Sequence, residues 1–137
     1  MRVITWNIHG AKSDSPVWDY LLEKNSDITL LQEVGSIPDK IKEKYDSLSR
    51  VAIYKTGKPQ KFSTAVLTRG KIISEISLSS EFEWVNRELD FFKGNLISCI
   101  IQLPNQEPIN VVSVYSPAWP VNKDRLNVSI RPSTGIE

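Results

Sequence analysis

Apolar positions along the chain fall into short runs, separated by polar breaks marked by glycine, proline, serine and asparagine. Arg2 to Ile8 (RVITWNI) is brief and rich in β-branched and aromatic residues, which predicts a strand. Ser13-Asp14-Ser15-Pro16 then supplies a helix start, with Ser15 placed to cap and Pro16 at the first helical position. Val17 with Leu21 and Trp18 with Leu22 repeat at helical spacing, so VWDYLLEKN reads as an amphipathic helix ending near Asn25. Asp27 to Val34 (DITLLQEV) is nearly continuous in its apolar residues, the pattern of a strand covered on both faces.

Gly35-Ser36-Ile37-Pro38 opens a second expected helix, DKIKEKYDSL, with its charges outward. Further strands are expected near Val51 to Lys55, Ser63 to Thr68 and Ile72 to Leu78. NLISCIIQLP and INVVSVYSP form a hairpin around Pro104 to Pro108. The stretch SSEFEWVNRELDFFKGN reads as an exposed hairpin or loop, with Lys93-Gly94-Asn95 as a turn. From Pro117 onward there are three prolines and little periodicity. The order of strand, helix, strand, helix and then mostly strands predicts an α/β or α+β domain. Its core is one mostly antiparallel sheet with helices on one face. The other face needs cover too, and few helical segments remain to provide it.

Composition narrows the class. A chain of 137 residues fits one domain with a real core, and 40% hydrophobic with 24% charged residues excludes a disordered chain. Seventeen basic residues nearly cancel sixteen acidic ones, so the net charge of +1 neither demands nor excludes a nucleic-acid partner. The single cysteine, Cys99, rules out an internal disulfide and reads as a small core hydrophobe. No apolar stretch approaches the roughly 18 residues of a membrane span. The N-terminus lacks the basic-then-apolar pattern of a signal peptide, so a cytoplasmic location is the default expectation. The glycosylation pattern at Asn127-Val128-Ser129 is then a chance match.

Asn7 and Glu33 stand near the ends of the first two strands. Magnesium and manganese prefer hard oxygen ligands, and a protein commonly supplies Mg²⁺ with only one or two carboxylates, leaving the rest to water and phosphate. An amide carbonyl and a carboxylate at neighbouring strand tips suit that need. Blander readings stay open beside it: Asn7 satisfying loop backbone groups, and Glu33 pairing with a surface lysine.

The residues themselves carry a resemblance. Thr5-Trp6-Asn7, then Asp27-Ile28 and Leu31-Gln32-Glu33, resemble the "TWN" and "D-I-x-x-L-Q-E" strands of the endonuclease/exonuclease/phosphatase family, with the DNase I-like fold. FSTAVLTRG is similar to that family's "G-x-A-I-L-S-R" strand through Ala65, Val66, Leu67 and Arg69. NVVSVYSPAWP is similar to its "v-n-v-Y-x-P" strand through Tyr115 and Pro117. The resemblance runs in order from residue 1 to about 120.

It implies half of a four-layer αββα sandwich, with residues 1–137 as a truncated domain and 118–137 as an irregular tail. It implies a metal-dependent phosphoester hydrolase, a nuclease or phosphatase, using Mg²⁺ or Mn²⁺. Asn7 and Glu33 would be metal-site residues and Glu33 and Tyr115 catalytic, with Tyr115 near the scissile phosphate, where a phenol donates without adding charge. Tyr115 as an aromatic packed at a strand end is the other open reading. His9, Arg87 and Arg125 are candidate phosphate contacts, the arginines because guanidinium binds phosphate bidentately. The family's "D-x-N" and "S-D-H" motifs do not follow Tyr115; Asp124 is succeeded by Arg125 and Leu126. The chain alone is therefore expected to be weak or inactive. The tail RPSTGIE favours a fragment of a longer enzyme. The substrate is a phosphate ester, nucleic acid among the candidates. An uncovered apolar sheet face would favour a homodimer, and a non-catalytic binding or assembly module is the alternative function.

Overall fold

Two parallel strands joined through a helix begin the architecture. In a computed structural model describing residues 1–116, β1 (Val3–Ala11) pairs with β2 (Ile28–Val34), from Val3 opposite Ile28 to Asn7 opposite Gln32. Parallel neighbours need a crossover, and α1 (Val17–Lys24) supplies it. Trp18 and Leu21 bury the apolar stripe of α1, and the Trp18 indole donates to the Lys12 carbonyl at 2.8 Å. The Ser15 hydroxyl accepts the Val17 N–H at 3.3 Å, and Asn25 ends the helix in the left-handed region.

The second helix is shorter than its sequence pattern. α2 (Asp39–Lys42) is a single turn, and β3 (Asp46–Ile53) takes up the residues after Tyr45. Tyr45 is buried on the helical side, and Leu48 is paired opposite Val66 of β4 (Pro59–Thr68). A strand partner outweighs the modest helix propensity of this segment. Among the described residues the first sheet runs β1-β2-β4-β3, with only β1 and β2 parallel.

The remaining strands form a second sheet where one was expected. β5 (Lys71–Glu75), β6 (Leu96–Gln102) and β7 (Ile109–Val114) are ordered β5-β6-β7 and antiparallel. The chain changes sheets at Arg69-Gly70. A Cβ on Gly70 would lie 2.2 Å from the Gln102 carbonyl oxygen, so a glycine is needed for this corner. Strand periodicity is the same in either sheet, so it cannot signal the switch.

The two sheets pack face to face. Ile28 and Val66 meet Ile97, Cys99, Ile101, Leu103 and Val111, while α1 and α2 cover the other face of the first sheet through Trp18, Leu21 and Ile41. Full burial of each large aliphatic side chain stabilises by about 1.5–3 kcal/mol. The apolar face that a half-fold would leave open is thus filled from within the chain. Exposed apolar residues remain on the second sheet, at Ile73, Val112 and Val114. Polar ties flank the inter-sheet core: the Asp46 carboxylate accepts the Ile72 N–H at 2.8 Å, and Arg50 pairs with Glu75.

α3 (Glu83–Phe91) replaces the expected hairpin or loop. Its entry is set locally: Asn86 Oδ1 accepts the Ser80 N–H at 2.7 Å, and Asn86 Nδ2 donates to the Ser80 carbonyl at 2.9 Å. Trp84, Val85 and Leu89 are half-buried, and none of its residues is fully buried. Pro117, Asp124, Arg125 and the expected tail 118–137 lie outside the described residues. Among the described residues, no helix is long and apolar enough to cross a membrane.

Asp27 and Arg69, both within the family-like runs, meet at the end of the sheet remote from Glu33. The Asp27 carboxylate accepts the Arg2 N–H at 2.6 Å and pairs with the Arg69 guanidinium, while its carbonyl accepts the Thr68 hydroxyl at 2.8 Å. The Arg2 N–H, and next the Arg69 guanidinium, hold the Asp27 carboxyl below its ordinary pKa. Between the lowered folded pKa and the ordinary unfolded one, the unfolded chain binds more protons, so stability rises with pH. Asp27 therefore contributes fully above about pH 4, and its contribution is lost as pH falls through the folded pKa. The urea midpoint of the native protein should fall more steeply between about pH 5 and pH 2 than that of Asp27→Asn. Parallel pH profiles for the two proteins would refute this role.

Candidate active site

Both strand tips leave the regular ladder at the same level. The β1–β2 register shifts between Asn7 and Ala11, and the β2–β4 register shifts between Leu31 and Val34. At these irregularities His9 (φ 51°) and Glu33 (φ 54°) occupy the left-handed region. Each such non-glycine residue costs on the order of 1–3 kcal/mol, and strain of this kind clusters at functional sites. Bulges re-aim side chains at the rim of a sheet.

Here they gather a polar corner. The Asn7 side-chain oxygen accepts the His9 N–H at 3.0 Å. His9 Nδ1 lies 3.6 Å from Glu33 Oε2. From the other sheet, the Tyr115 hydroxyl donates to Glu33 Oε1 at 2.9 Å. β7 delivers Tyr115 because Val111 and Ser113 are buried on the inner face, and Tyr115 continues that alternation past the strand end. Its N–H donates to the Asn95 carbonyl at 2.7 Å.

The open readings of these residues now have geometry. Asn7 does serve a backbone N–H, and its carbonyl oxygen keeps a second lone pair. Glu33 accepts from Tyr115 and lies near His9, and no lysine pairs with it among the described residues. Tyr115 is half-buried with its hydroxyl engaged. Burial first, then the hydrogen bond to Glu33 and that group's charge, push the Tyr115 phenol up to about 12. It is a neutral donor throughout the physiological range. His9 is largely solvent-exposed at the mouth of the corner. Arg87 is exposed on α3, and Arg125 is outside the described residues.

Two features escaped the sequence pattern. Asn95 was legible only as a turn residue, yet it joins Tyr115 to β3. A cleft of about 810 Å³ between β3, β5, β6 and α3 is lined by Arg50, Glu75, Leu78, Phe91 and Lys93, and none of the strand-tip residues borders it. Arg50 and Glu75 there are spent on each other.

The donors at the corner are hard oxygens: one carboxylate and one amide carbonyl. Among the described residues no group of three or more His, Cys, Asp or Glu side chains is arranged for a metal. The set is unlike zinc's preferred nitrogen and sulfur cages. It fits in kind a Mg²⁺ or Mn²⁺ ion that retains water and takes phosphate as further ligands.

No protein-family model matches the chain, and no curated protein matches it. Among solved structures, it is similar to an endonuclease/exonuclease/phosphatase from Beutenbergia cavernae DSM 12333, with a TM-score of 0.53 and 18% identity. The likeness covers 83% of this chain and 37% of that one. The two share a fold, of which this chain spans little more than a third of the neighbour's length.

The tyrosine geometry has a direct spectroscopic consequence. With a chelator present, ultraviolet titration should show a phenol ionising at about 12. That step should vanish in Tyr115→Phe and move toward about 10, the free tyrosine value, in Glu33→Gln. An unfolded tyrosine loses its proton near 10, so Tyr115's contribution to stability is intact below about pH 10 and is lost as pH rises toward its folded value. A titration indifferent to Glu33→Gln would disprove the coupling.

Proposed function

We propose that the Asn7–His9–Glu33–Tyr115 corner is the metal-holding side of a phosphoester hydrolase site, acting on a phosphodiester or phosphomonoester. One observation carries this reading: a tyrosine from one sheet donates to a carboxylate at the bulged tip of the other, on a fold shared with an endonuclease/exonuclease/phosphatase structure. Glu33 and Asn7 would hold Mg²⁺ or Mn²⁺, which supplies polarisation of a phosphoryl oxygen and stabilisation of the leaving group.

The chain's own groups do the rest. Tyr115 orients the Glu33 carboxylate and presents a neutral donor beside the phosphate position. His9, at the open mouth, is placed to meet a phosphate oxygen. Arg87 and Arg125 are further candidates for substrate phosphates. The described corner holds one carboxylate, so no second acid stands there to take the proton of attacking water. General acid–base assistance is worth about 10² to 10⁴ in rate, and turnover by this chain alone is expected to be slow.

The reading is tested with Mn²⁺ and a generic aryl phosphodiester. Mn²⁺ should broaden the NMR signals of the residue 7–9 and 33 region. Glu33→Gln should weaken binding by more than about tenfold. Tyr115→Phe should weaken Mn²⁺ binding less than Glu33→Gln does and lower kcat by about 10² to 10³. Mn²⁺ binding undiminished in Glu33→Gln would end the proposal.

A second reading, a self-associating assembly module, is favoured by the exposed Ile73, Val112 and Val114 on the second sheet. It predicts a dimer by light scattering that Val112→Lys dissociates, with no metal-dependent cleavage. A monomer at high concentration would exclude it.

A further inference from the structure

We propose that Asn95 is a positioning residue that fixes where the Tyr115 hydroxyl sits over Glu33. The inference rests on the reading of that corner as a phosphoester site, and its physical content can be tested apart from it.

Asn95 lies just before β6 and is 2% exposed. Three hydrogen bonds make it a junction. Its N–H donates to the Phe92 carbonyl at 2.8 Å, closing the turn after α3. Its side-chain oxygen accepts the Ile53 N–H of β3, in the first sheet, at 2.8 Å. Its carbonyl accepts the Tyr115 N–H at 2.7 Å, one step beyond the last β6–β7 pair, Leu96 opposite Val114. The segment that carries Tyr115 is therefore tied, through one residue, to the sheet that carries Glu33.

The preceding residue makes this possible. A Cβ on Gly94 would fall 1.8 Å from the Val51 carbonyl oxygen and 2.8 Å from its carbon. No other residue lets the turn come this close to β3, and without that approach the Asn95 amide does not reach Ile53. Among the described residues, Asn95 Nδ2 is buried and has no hydrogen-bond partner. An unsatisfied buried donor is unfavourable, so an asparagine here is explained by its acceptor rather than by its donor. The resulting link runs from Ile53 through Asn95 to Tyr115 and on to Glu33, and it spans both sheets at the level of the strand tips.

The test uses the full chain and reads position directly. NOE contacts between the Tyr115 ring and the Glu33 side chain are expected in the native protein. They should be lost in Asn95→Ser, whose hydroxyl is too short to reach the Ile53 N–H, and restored in Asn95→Asp, which keeps an acceptor at the right reach. In hydrolysis, Asn95→Ser should lower kcat by the same factor as Tyr115→Phe with KM unchanged. The double variant should lose no more than either single one, as residues acting as a unit do. If Asn95→Ser does not fold, Gly94→Ala, which pushes the turn off Val51, should show the same loss of the NOE. A Tyr115–Glu33 contact that persists in a folded Asn95→Ser or Gly94→Ala protein overturns the inference. If the contact is lost in those variants while Glu33→Gln leaves Mn²⁺ binding unchanged, the positioning role stands and the hydrolase reading falls.

Discussion

The close approach of two sheets governs this molecule. Ile28 and Val66 on one sheet and Ile97, Cys99, Ile101 and Val111 on the other form a continuous apolar layer, and packed sheets of this kind lie about 10 Å apart. Across such a gap a tyrosine continuing from one strand can reach a carboxylate at the tip of another, whereas a serine or threonine falls short. Asp46, the Arg50–Glu75 pair and Asn95 tie the sheets at their margins. A shift in the sheet spacing would separate Tyr115 from Glu33 before it disturbed either strand.

The strand tips show how that spacing is used. A regular ladder at the end of β1 and β2 would continue the alternation set by Leu31 and Asn7. The register shifts, with His9 and Glu33 in the left-handed region, break it and turn polar groups toward the mouth between the sheets. Such backbone is retained only where its surroundings over-determine it. Here the surroundings are the Tyr115 hydrogen bond, the nearby His9 ring and the Asn7 bond to the His9 N–H. Strain and polar contacts coincide at one place, while the far end of the sheet is closed by the well-satisfied Asp27–Arg69 pair.

Legibility differed from element to element for physical reasons. β1, α1, β2 and the β6–β7 hairpin were readable because each carries its own apolar period and end signals, such as Ser15-Pro16 and Asn25 for α1. α2 is shorter than its pattern predicts because β4 recruits Asp46 to Ile53 as a strand, a decision made by pairing and not by local propensity. α3 carries half-buried Trp84, Val85 and Leu89 but no fully buried residue, and its start is fixed by the Asn86–Ser80 bonds. At the site, Asn7 and Glu33 stood out as polar residues near strand ends, and likeness to a family's motifs linked them to Tyr115. Asn95 offered no signal beyond a turn, since its importance lies in partners 42 residues earlier and 20 residues later in the chain.

By itself, then, the sequence determined the strand and helix inventory of most of the chain, because burial periodicity and capping act between residues close in sequence. It also determined which chemical groups stand at the strand tips. Tertiary structure alone decided that the strands divide into two facing sheets at Arg69-Gly70, which faces are covered, and that Tyr115 meets Glu33. Those outcomes depend on contacts between residues far apart in the chain, and a pattern that repeats every two residues carries no record of which sheet it will join.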